Sequence, residues 1–227
     1  MKRLFVHIPK NGGMTIRKGI PGKILVADPQ FHVSDQYTSE LYETMSAHGE
    51  HHGAQHARWR DFREDLRDTR RAFAIVRSPW DRTVSRYTFS CVAEGKDYTF
   101  REFLEERHEY GGKPYFWHRA IRGWYPQVDY VTDEDGKLRC DILRFGTDDV
   151  LDYFELKKPL DVRNVSNGQA IGSVIKNRKD YRDFYGPDEF EIVRDWYHQD
   201  IEFFGFTFEG GASRNLWTGA RETQQRR

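Results

Sequence analysis

The beginning of the chain constrains the fold more than any other stretch. Residues 4–8 form a short, largely apolar run that is typical of a buried strand. Pro9 cannot continue a central strand, whereas Gly12 and Gly13 permit a tight turn into the helix start that follows. A strand, a glycine turn and a helix start direct several backbone N–H groups at one point, to which Lys10 adds a positive charge. This pattern predicts an anion site, and we expect it to hold a phosphate.

A second junction of the same kind follows farther along the chain. Residues 71–77 are nearly continuous in apolar residues, as in the strands of a buried parallel sheet. A helix is expected over residues 81–92, so Arg77 ends the strand and points into the crevice where open α/β sheets bind ligands. Ser85 lies about one turn into that helix, on the same side. A guanidinium fork and a hydroxyl suit a phosphate monoester, so we expect a second phosphate position here.

Composition limits the kinds of partner and compartment. The 227 residues fit one α/β domain. Lys and Arg together number 36, as do Asp and Glu, so no excess charge favours nucleic acid or an acidic membrane. No apolar run approaches the length needed to cross a bilayer, and no signal-peptide pattern precedes the first strand. Cys91 and Cys140 are too few for a disulfide framework. We therefore expect a cytoplasmic protein with no membrane or nucleic-acid partner.

The remaining pattern indicates how the chain is divided. We expect a single domain over residues 1–209, followed by a polar, Arg-rich and disordered tail over residues 210–227. Within the domain, residues 57–67 carry apolar side chains at three- and four-residue steps, which predicts an amphipathic helix. Residues 128–131 and 138–143 are typical of strands, and the Asp-Gly pair between them predicts a hairpin.

The first junction resembles the 5′-phosphosulfate loop of the sulfotransferases, whose common form is I-P-K-T-G-G-T-S. Over residues 8–15 the chain reads I-P-K-N-G-G-M-T. Asn11 and Met14 each replace a threonine, and Thr15 stands where a hydroxyl residue is usual. Because Met14 brings no hydroxyl, phosphate binding at this loop would depend more on backbone N–H groups.

The second junction is similar to the 3′-phosphate motif of the same family, V-R-N-P-W-D-R-L-V-S-x-Y. Residues 76–87 read V-R-S-P-W-D-R-T-V-S-R-Y. The nearest resemblance is to the carbohydrate-type and bacterial sulfotransferases. Their K-H-A-T-A-x-E segment is matched at its His-Ala pair by residues 56–57, and their R-F-E segment is matched by residues 144–145. Gly146 stands in place of the glutamate.

The resemblance implies an α/β fold, a three-layer sandwich with a central parallel sheet like that of the P-loop NTPases. It also implies a donor, 3′-phosphoadenosine 5′-phosphosulfate (PAPS), whose two phosphate positions match the two predicted anion sites. The catalytic cation on the leaving group would be Lys10. The acceptor would be a hydroxyl, first of all on a carbohydrate, with lipid, peptide tyrosine and small-molecule hydroxyls also open. The donor-binding residues that the resemblance implies are Lys10, Asn11, Gly12, Gly13, Met14, Thr15, Arg77 and Ser85.

The acceptor hydroxyl needs a base, and a histidine titrates near the working pH. We take His56 as the first candidate, followed by His52 and His51. Residues 48–56 contain four histidines, but no cysteine lies nearby and their spacing matches no standard zinc pattern. We therefore expect no metal, since protein groups meet the charge of the donor.

Two other functions remain open. A catalytically inactive nucleotide-binding module of the same fold is compatible with the departures at Asn11, Met14 and Gly146. A P-loop-type kinase would also use in-line transfer, but its G-x-x-x-x-G-K-[ST] pattern places the lysine after the glycines, whereas Lys10 precedes them. Such a kinase would also need an acidic magnesium ligand at a strand end, and the sequence offers no clear candidate.

Overall fold

The computed structural model describes residues 1–48, 54–94, 99–111, 125–161 and 180–219. Its strands are β1 (Arg3–Val6), β2 (Ile24–Val26), β3 (Ala72–Val76) and β4 (Cys140–Arg144). Its helices are α1 (Gly13–Gly19), α2 (Asp35–His48), α3 (Glu64–Thr69), α4 (Pro79–Glu94), α5 (Phe100–Gly111), α6 (Gln127–Val131), α7 (Asp149–Phe154), α8 (Pro187–Trp196) and α9 (His198–Phe204). Short 3₁₀ turns cover Ala54–His56, Trp59–Asp61 and Tyr181–Phe184.

The strands form one parallel sheet in the order β2-β1-β3-β4. The two strands that precede the expected phosphate sites, β1 and β3, are direct neighbours. Leu4 lies opposite Ala72, and Val6 lies opposite Ala74. Because neighbouring strands run in the same direction, the loops that follow them leave the sheet at the same edge. The fold therefore places both junctions side by side.

Each strand divides its side chains between two hydrophobic cores, one on each face of the sheet. In β3, for example, Ala74 and Val76 belong to the larger core, whereas Phe73 and Ile75 belong to the smaller one. The larger core includes residues of α2, α4, α5, α6, α8 and α9, and the smaller core includes residues of α1 and α7. Helices thus cover both faces, and the expected α/β sandwich with a central parallel sheet is confirmed.

The predicted hairpin over residues 128–131 and 138–143 is wrong in its first half, because residues 128–131 belong to helix α6. A side chain from α9 caps this helix, since Asp200 accepts a hydrogen bond from the backbone N–H of Val128 at 2.9 Å. Among the described residues, the predicted hairpin is reduced to an isolated antiparallel bridge between Thr132 and Leu138. The capping residue lies 72 positions along the chain, so the local pattern could not reveal it.

The single amphipathic helix predicted over residues 57–67 is also wrong. A 3₁₀ turn ends at Asp61, and α3 starts only at Glu64. Between them Phe62 is buried and extended, and it forms an antiparallel bridge with Val33. This pairing with a distant segment interrupts the helical spacing.

The expected boundary at residue 209 falls before a segment that packs against the domain. The backbone N–H of Trp217 donates to the carbonyl of Ile142 at 2.9 Å, and its indole lies edge-on to Tyr153 with ring centroids 5.0 Å apart. Ala212 is also buried. Residues 210–219 are therefore part of the folded unit, and the rest of the predicted tail lies outside the described residues.

Candidate active site

The loops that follow β1 and β3 are joined directly by hydrogen bonds. Arg77 donates from Nη1 to the carbonyl oxygen of Lys10 at 2.8 Å. Asn11 donates from Nδ2 to the carbonyl oxygen of Ile75 at 2.7 Å. These bonds hold the two expected phosphate positions at one edge of the sheet, next to each other.

The backbone of the first loop leaves a group of N–H donors unused. Lys10 and Gly12 adopt left-handed conformations, with φ of 69° and 77°, and the first of these is uncommon for a residue with a side chain. Within the described part of the chain, the backbone N–H groups of Gly12, Gly13 and Met14 meet no acceptor. Consecutive unpaired N–H groups beside a cation form a concave site that suits an anion.

Gly13 lies against the ring of His7, which fixes the distance between the loop and the end of β1. A Cβ atom on Gly13 would lie 1.7 Å from Nε2 of His7. The His7 ring stacks on Phe5 with centroids 5.3 Å apart, so it has little space to retreat. Burial and the nearby His56 and Arg17 lower the pKa of His7 well below its usual value, so the ring is neutral at neutral pH.

Replacing Gly13 by alanine should therefore destabilise the protein by about 1–3 kcal/mol, because the added methyl must displace the His7 ring or the loop. Gly22→Ala is the matched control, since a Cβ there meets nothing within 4 Å, and its effect should stay within about 0.5 kcal/mol. Chemical unfolding of both variants measures the difference. Equal stability of Gly13→Ala and the wild type would contradict the contact with His7.

Lys10 carries the charge at this loop. Its Nζ lies 4.3 Å from the centroid of the Phe89 ring, and among the described residues no carboxylate pairs with it. Burial, together with the positive charges of Arg86 and Arg77, lowers the pKa of Lys10 to about 7. Cations gathered so closely disfavour one another's charge, and a bound anion would relieve that repulsion.

Arg77 is held in place by protein groups. Its Nε and Nη2 donate to the two carboxylate oxygens of Asp81 at 2.6 and 2.7 Å, and its guanidinium lies 4.3 Å from the centroid of the Phe145 ring. With Nη1 bonded to Lys10, three of the five guanidinium donors are used within the described ranges, which leaves one on each terminal nitrogen there. Ser85 lies between Asp81 and Phe89 at four-residue steps on α4, which places it on the helix face that contacts this site.

His56 lies beside the first loop, with its tautomer determined by the backbone. Its Nδ1 is 2.7 Å from the carbonyl oxygen of His7, which can only accept, so Nδ1 carries the proton. Nε2 then keeps its lone pair, to which Gln55 donates from Nε2 at 3.2 Å. A neutral histidine in this form can accept a proton from an acceptor hydroxyl. His51 and His52 lie outside the described residues.

The structure separates the predicted site residues into two groups. The first group lies at the carboxyl edge of the sheet and comprises the backbone of residues 12–14 and the side chains of Lys10, Arg77, Ser85 and His56. Asn11, in contrast, is 2% exposed and directs its amide toward β3, so its side chain supports the loop. Thr15 lies one turn farther on, where its N–H donates to the carbonyl of Gly12 at 3.0 Å.

The sequence did not reveal the contacts that several residues make at the site. Gln127 starts the helix mistaken for a strand, yet its side chain bonds to both Asn11 and Arg77. The Phe145 ring lies over Arg77 and would come within 3.0 Å of a Cβ on Gly12. Gly146 replaces the glutamate of the family segment, and its φ of 76° would strain a larger residue. The sequence carries no local signal for Gln127.

The described residues offer neither a group of metal ligands nor a membrane-spanning helix. Within the ranges given above, no group of three or more His, Cys, Asp or Glu side chains is arranged to hold a metal ion. No helix in the same ranges is long and apolar enough to span a bilayer.

Comparison with known proteins agrees with this geometry. No curated protein and no solved structure matches the chain. A family model described as "Sulfotransferase family" matches residues 2–207, which is most of the chain. The match covers both junctions and the histidine beside them. The chain therefore belongs to the sulfotransferase family.

Proposed function

We propose that the protein transfers a sulfuryl group from PAPS to the hydroxyl of an acceptor. Membership of the sulfotransferase family supports sulfuryl transfer as the general chemistry. The observation that supports PAPS as the donor is the direct bond between the two junctions, from Arg77 to the carbonyl of Lys10 at 2.8 Å. A donor with phosphates at both its 3′ and 5′ positions needs two adjacent anion sites, and these junctions would supply them.

The first loop would hold the 5′ end of the donor. The unpaired N–H groups of Gly12, Gly13 and Met14 would bind the 5′-phosphate, and Nζ of Lys10 would lie near the oxygen that bridges phosphorus and sulfur. That oxygen gains negative charge as its bond to sulfur breaks. The charged form of Lys10 would stabilise it.

The second junction would hold the 3′-phosphate. Among the residues that the structure describes, Arg77 keeps one N–H on each terminal nitrogen beyond its bonds to Asp81 and Lys10. Ser85 adds a hydroxyl from the same face of α4. Because Asp81 fixes the plane of the guanidinium, the fork needs little ordering when a phosphate arrives.

His56 would act as the general base. The acceptor hydroxyl would give its proton to Nε2 of His56 as its oxygen bonds to sulfur, and the nucleotide would leave with the bridging oxygen. Gln55 donates to that nitrogen in the unliganded protein and would have to be displaced by the acceptor. The bond from Nδ1 to the carbonyl of His7 would stabilise the imidazolium that forms.

We propose a carbohydrate as the acceptor class, on the basis of the family resemblance at residues 76–87. Transfer of radiolabelled sulfate from PAPS to a panel of sugars, phenols and aliphatic alcohols would test this class. Faster transfer to sugars than to the other members of the panel would support a carbohydrate acceptor. Selective labelling of phenols or of aliphatic alcohols would contradict it and identify that class as the acceptor.

Calorimetric titration with 3′-phosphoadenosine 5′-phosphate (PAP), the spent donor, tests the nucleotide site. PAP in EDTA should bind, whereas ATP with Mg²⁺ should not. Tight binding of ATP with Mg²⁺ and none of PAP would favour a nucleotide kinase. Binding of PAP without transfer to any acceptor would favour a nucleotide-binding module, and binding of neither would contradict the proposal.

Binding of PAP should depend on pH because Lys10 has a pKa of about 7 in the free protein. A phosphate beside Nζ favours the charged amine, so its pKa is higher in the complex than in the free protein. Affinity should therefore fall as pH rises above about 7, by up to roughly tenfold per pH unit, until the pKa of the complex is reached. In that range the phosphates of PAP are already ionised.

Titrations across this range measure the effect, and Lys10→Arg is the control because a guanidinium stays charged throughout. The affinity of Lys10→Arg for PAP should not change with pH across this range. An equally constant affinity for the wild type would mean that Lys10 does not contact the nucleotide.

A further inference from the structure

The side chain of Gln127, at the start of α6, bonds to both of the loops that follow β1 and β3. It is 0% exposed. Its Oε1 accepts hydrogen bonds from Nδ2 of Asn11 at 2.7 Å and from the backbone N–H of Arg77 at 3.0 Å. Its Nε2 donates to the carbonyl oxygen of Arg77 at 2.9 Å and to Oδ2 of Asp200 at 3.2 Å. Every donor and both acceptor positions of the carboxamide are therefore in use.

Asp200 determines which way this carboxamide faces. It is also 0% exposed, and its Oδ1 accepts from the backbone N–H of Val128 at 2.9 Å. Burial raises the pKa of Asp200, while the nearby Arg82 and the bonds from residues 127–128 oppose that shift. An acceptor at this position requires the N–H side of Gln127 to face Asp200. The oxygen side must then face Asn11 and Arg77.

The carboxamide of Gln127 pairs with the backbone of Arg77 as a neighbouring strand would. It accepts from the N–H of Arg77 and donates to the carbonyl oxygen of Arg77. The residue so held is the one that bears the guanidinium. The same Oε1 accepts from Asn11, whose amide nitrogen also bonds to the carbonyl of Ile75. The spacing between the loop after β1 and the end of β3 is thus set through one carboxamide.

We infer that Gln127 is a positioning residue that holds both phosphate sites in the relative arrangement a 3′,5′-bisphosphorylated nucleotide requires. This inference rests on the proposed function, because it needs a donor that occupies both junctions. Asn11 is part of the arrangement: its amide reaches Gln127 at a position where the family loop has a shorter threonine. Gln127 touches neither phosphate and acts through Asn11 and Arg77.

A purely structural role would have a different signature. If Gln127 only stabilised the fold, its replacement would lower the unfolding temperature but leave the affinity of the folded protein unchanged. A positioning role predicts weaker PAP binding well below the unfolding transition. It also predicts a smaller advantage of PAP over AMP, which lacks the 3′-phosphate, because the two sites would no longer be correctly spaced.

Gln127→Glu is the sharpest variant, since it keeps the shape and removes the two N–H donations. Near pH 8 the new carboxylate would repel Asp200 and the carbonyl of Arg77, and the Kd of PAP should rise by at least about tenfold. Toward pH 5–6 a protonated carboxyl can donate again, so part of the affinity should return relative to the wild type at the same pH. Gln36→Glu makes the same change at an exposed position of α2, where the side chain bonds only to Glu40 among the described residues, and should leave binding unchanged.

Asn11→Ala provides a second test if Gln127→Glu does not fold. It removes the link between the first loop and Gln127 and leaves the bonds to Arg77 and Asp200 in place. We expect the Kd of PAP to rise severalfold and the preference over AMP to shrink. Wild-type PAP affinity and preference in a folded variant would overturn the inference. If the wild type itself failed to bind PAP, the proposed function would fail, and this inference with it.

Discussion

Replacing Lys10 by alanine should lower sulfuryl transfer by about 10²–10³-fold while leaving much of the affinity for PAPS, whose bridging oxygen is not yet charged. The amine would neutralise an oxygen whose charge appears mainly in the transition state, whereas the backbone N–H groups of residues 12–14 would still bind the ground-state phosphate. The rate of transfer from PAPS to the best acceptor and the Kd of PAPS without an acceptor together measure this separation. Lys18→Ala is the matched control, because Lys18 is an exposed lysine of α1 outside the site.

The left-handed backbone at Lys10 makes folding a necessary check on this variant. Alanine has the same steric limits there as lysine, so the unfolding temperature should change little. Normal turnover by Lys10→Ala would remove Lys10 from the leaving group. Complete loss of PAPS binding in a folded variant would mean that the amine contributes mainly to the ground state.

Replacing His56 by asparagine should lower transfer by about 10²–10⁴-fold without changing donor affinity. Asparagine can place an amide N–H where Nδ1 of His56 donates to the carbonyl of His7, but it has no group in place of Nε2. The change therefore removes the base and keeps the bond that orients it. His32→Asn is a close control, since Nδ1 of His32 lies 2.6 Å from the carbonyl of Val26 in a similar contact at the end of the neighbouring strand β2, outside the two junctions.

Two results would reassign the role of His56. Undiminished transfer by His56→Asn would mean that another group is the base, and His52 and His51 would be tested next. A parallel fall in transfer and PAP affinity would indicate that His56 supports the loop through the carbonyl of His7 and does not accept the proton.

The two junctions could be predicted from the sequence because their signals are local. An apolar run followed by Pro9 and paired glycines marks the end of a buried strand, and the run before Arg77 does the same. Once both strands are assigned to one parallel sheet, their loops must share an edge. The proximity of Lys10 and Arg77 follows from this argument, and the parallel pairing of β1 with β3 confirms its basis.

What the sequence could not show depends on contacts between distant residues. Gln127 reaches Asn11 across 116 positions, and Asp200 reaches Gln127 across 73. The pattern around residues 128–131 favours a strand, but these residues form a helix whose N-terminus Asp200 caps. Likewise, the polar composition after residue 210 predicts disorder, although Trp217 packs against Tyr153. In each case tertiary packing overrides a local preference.

A crystal structure with PAP bound is the most direct test of the account. We expect the 5′-phosphate on the N–H groups of Gly12, Gly13 and Met14, within reach of Lys10, and the 3′-phosphate beside Arg77 and Ser85. The oxygen of the 5′-phosphate that carries the sulfuryl group in PAPS should then point toward His56. A nucleotide bound elsewhere, or one whose 3′-phosphate lies away from Arg77, would contradict the assignment of the two junctions as a bisphosphate site.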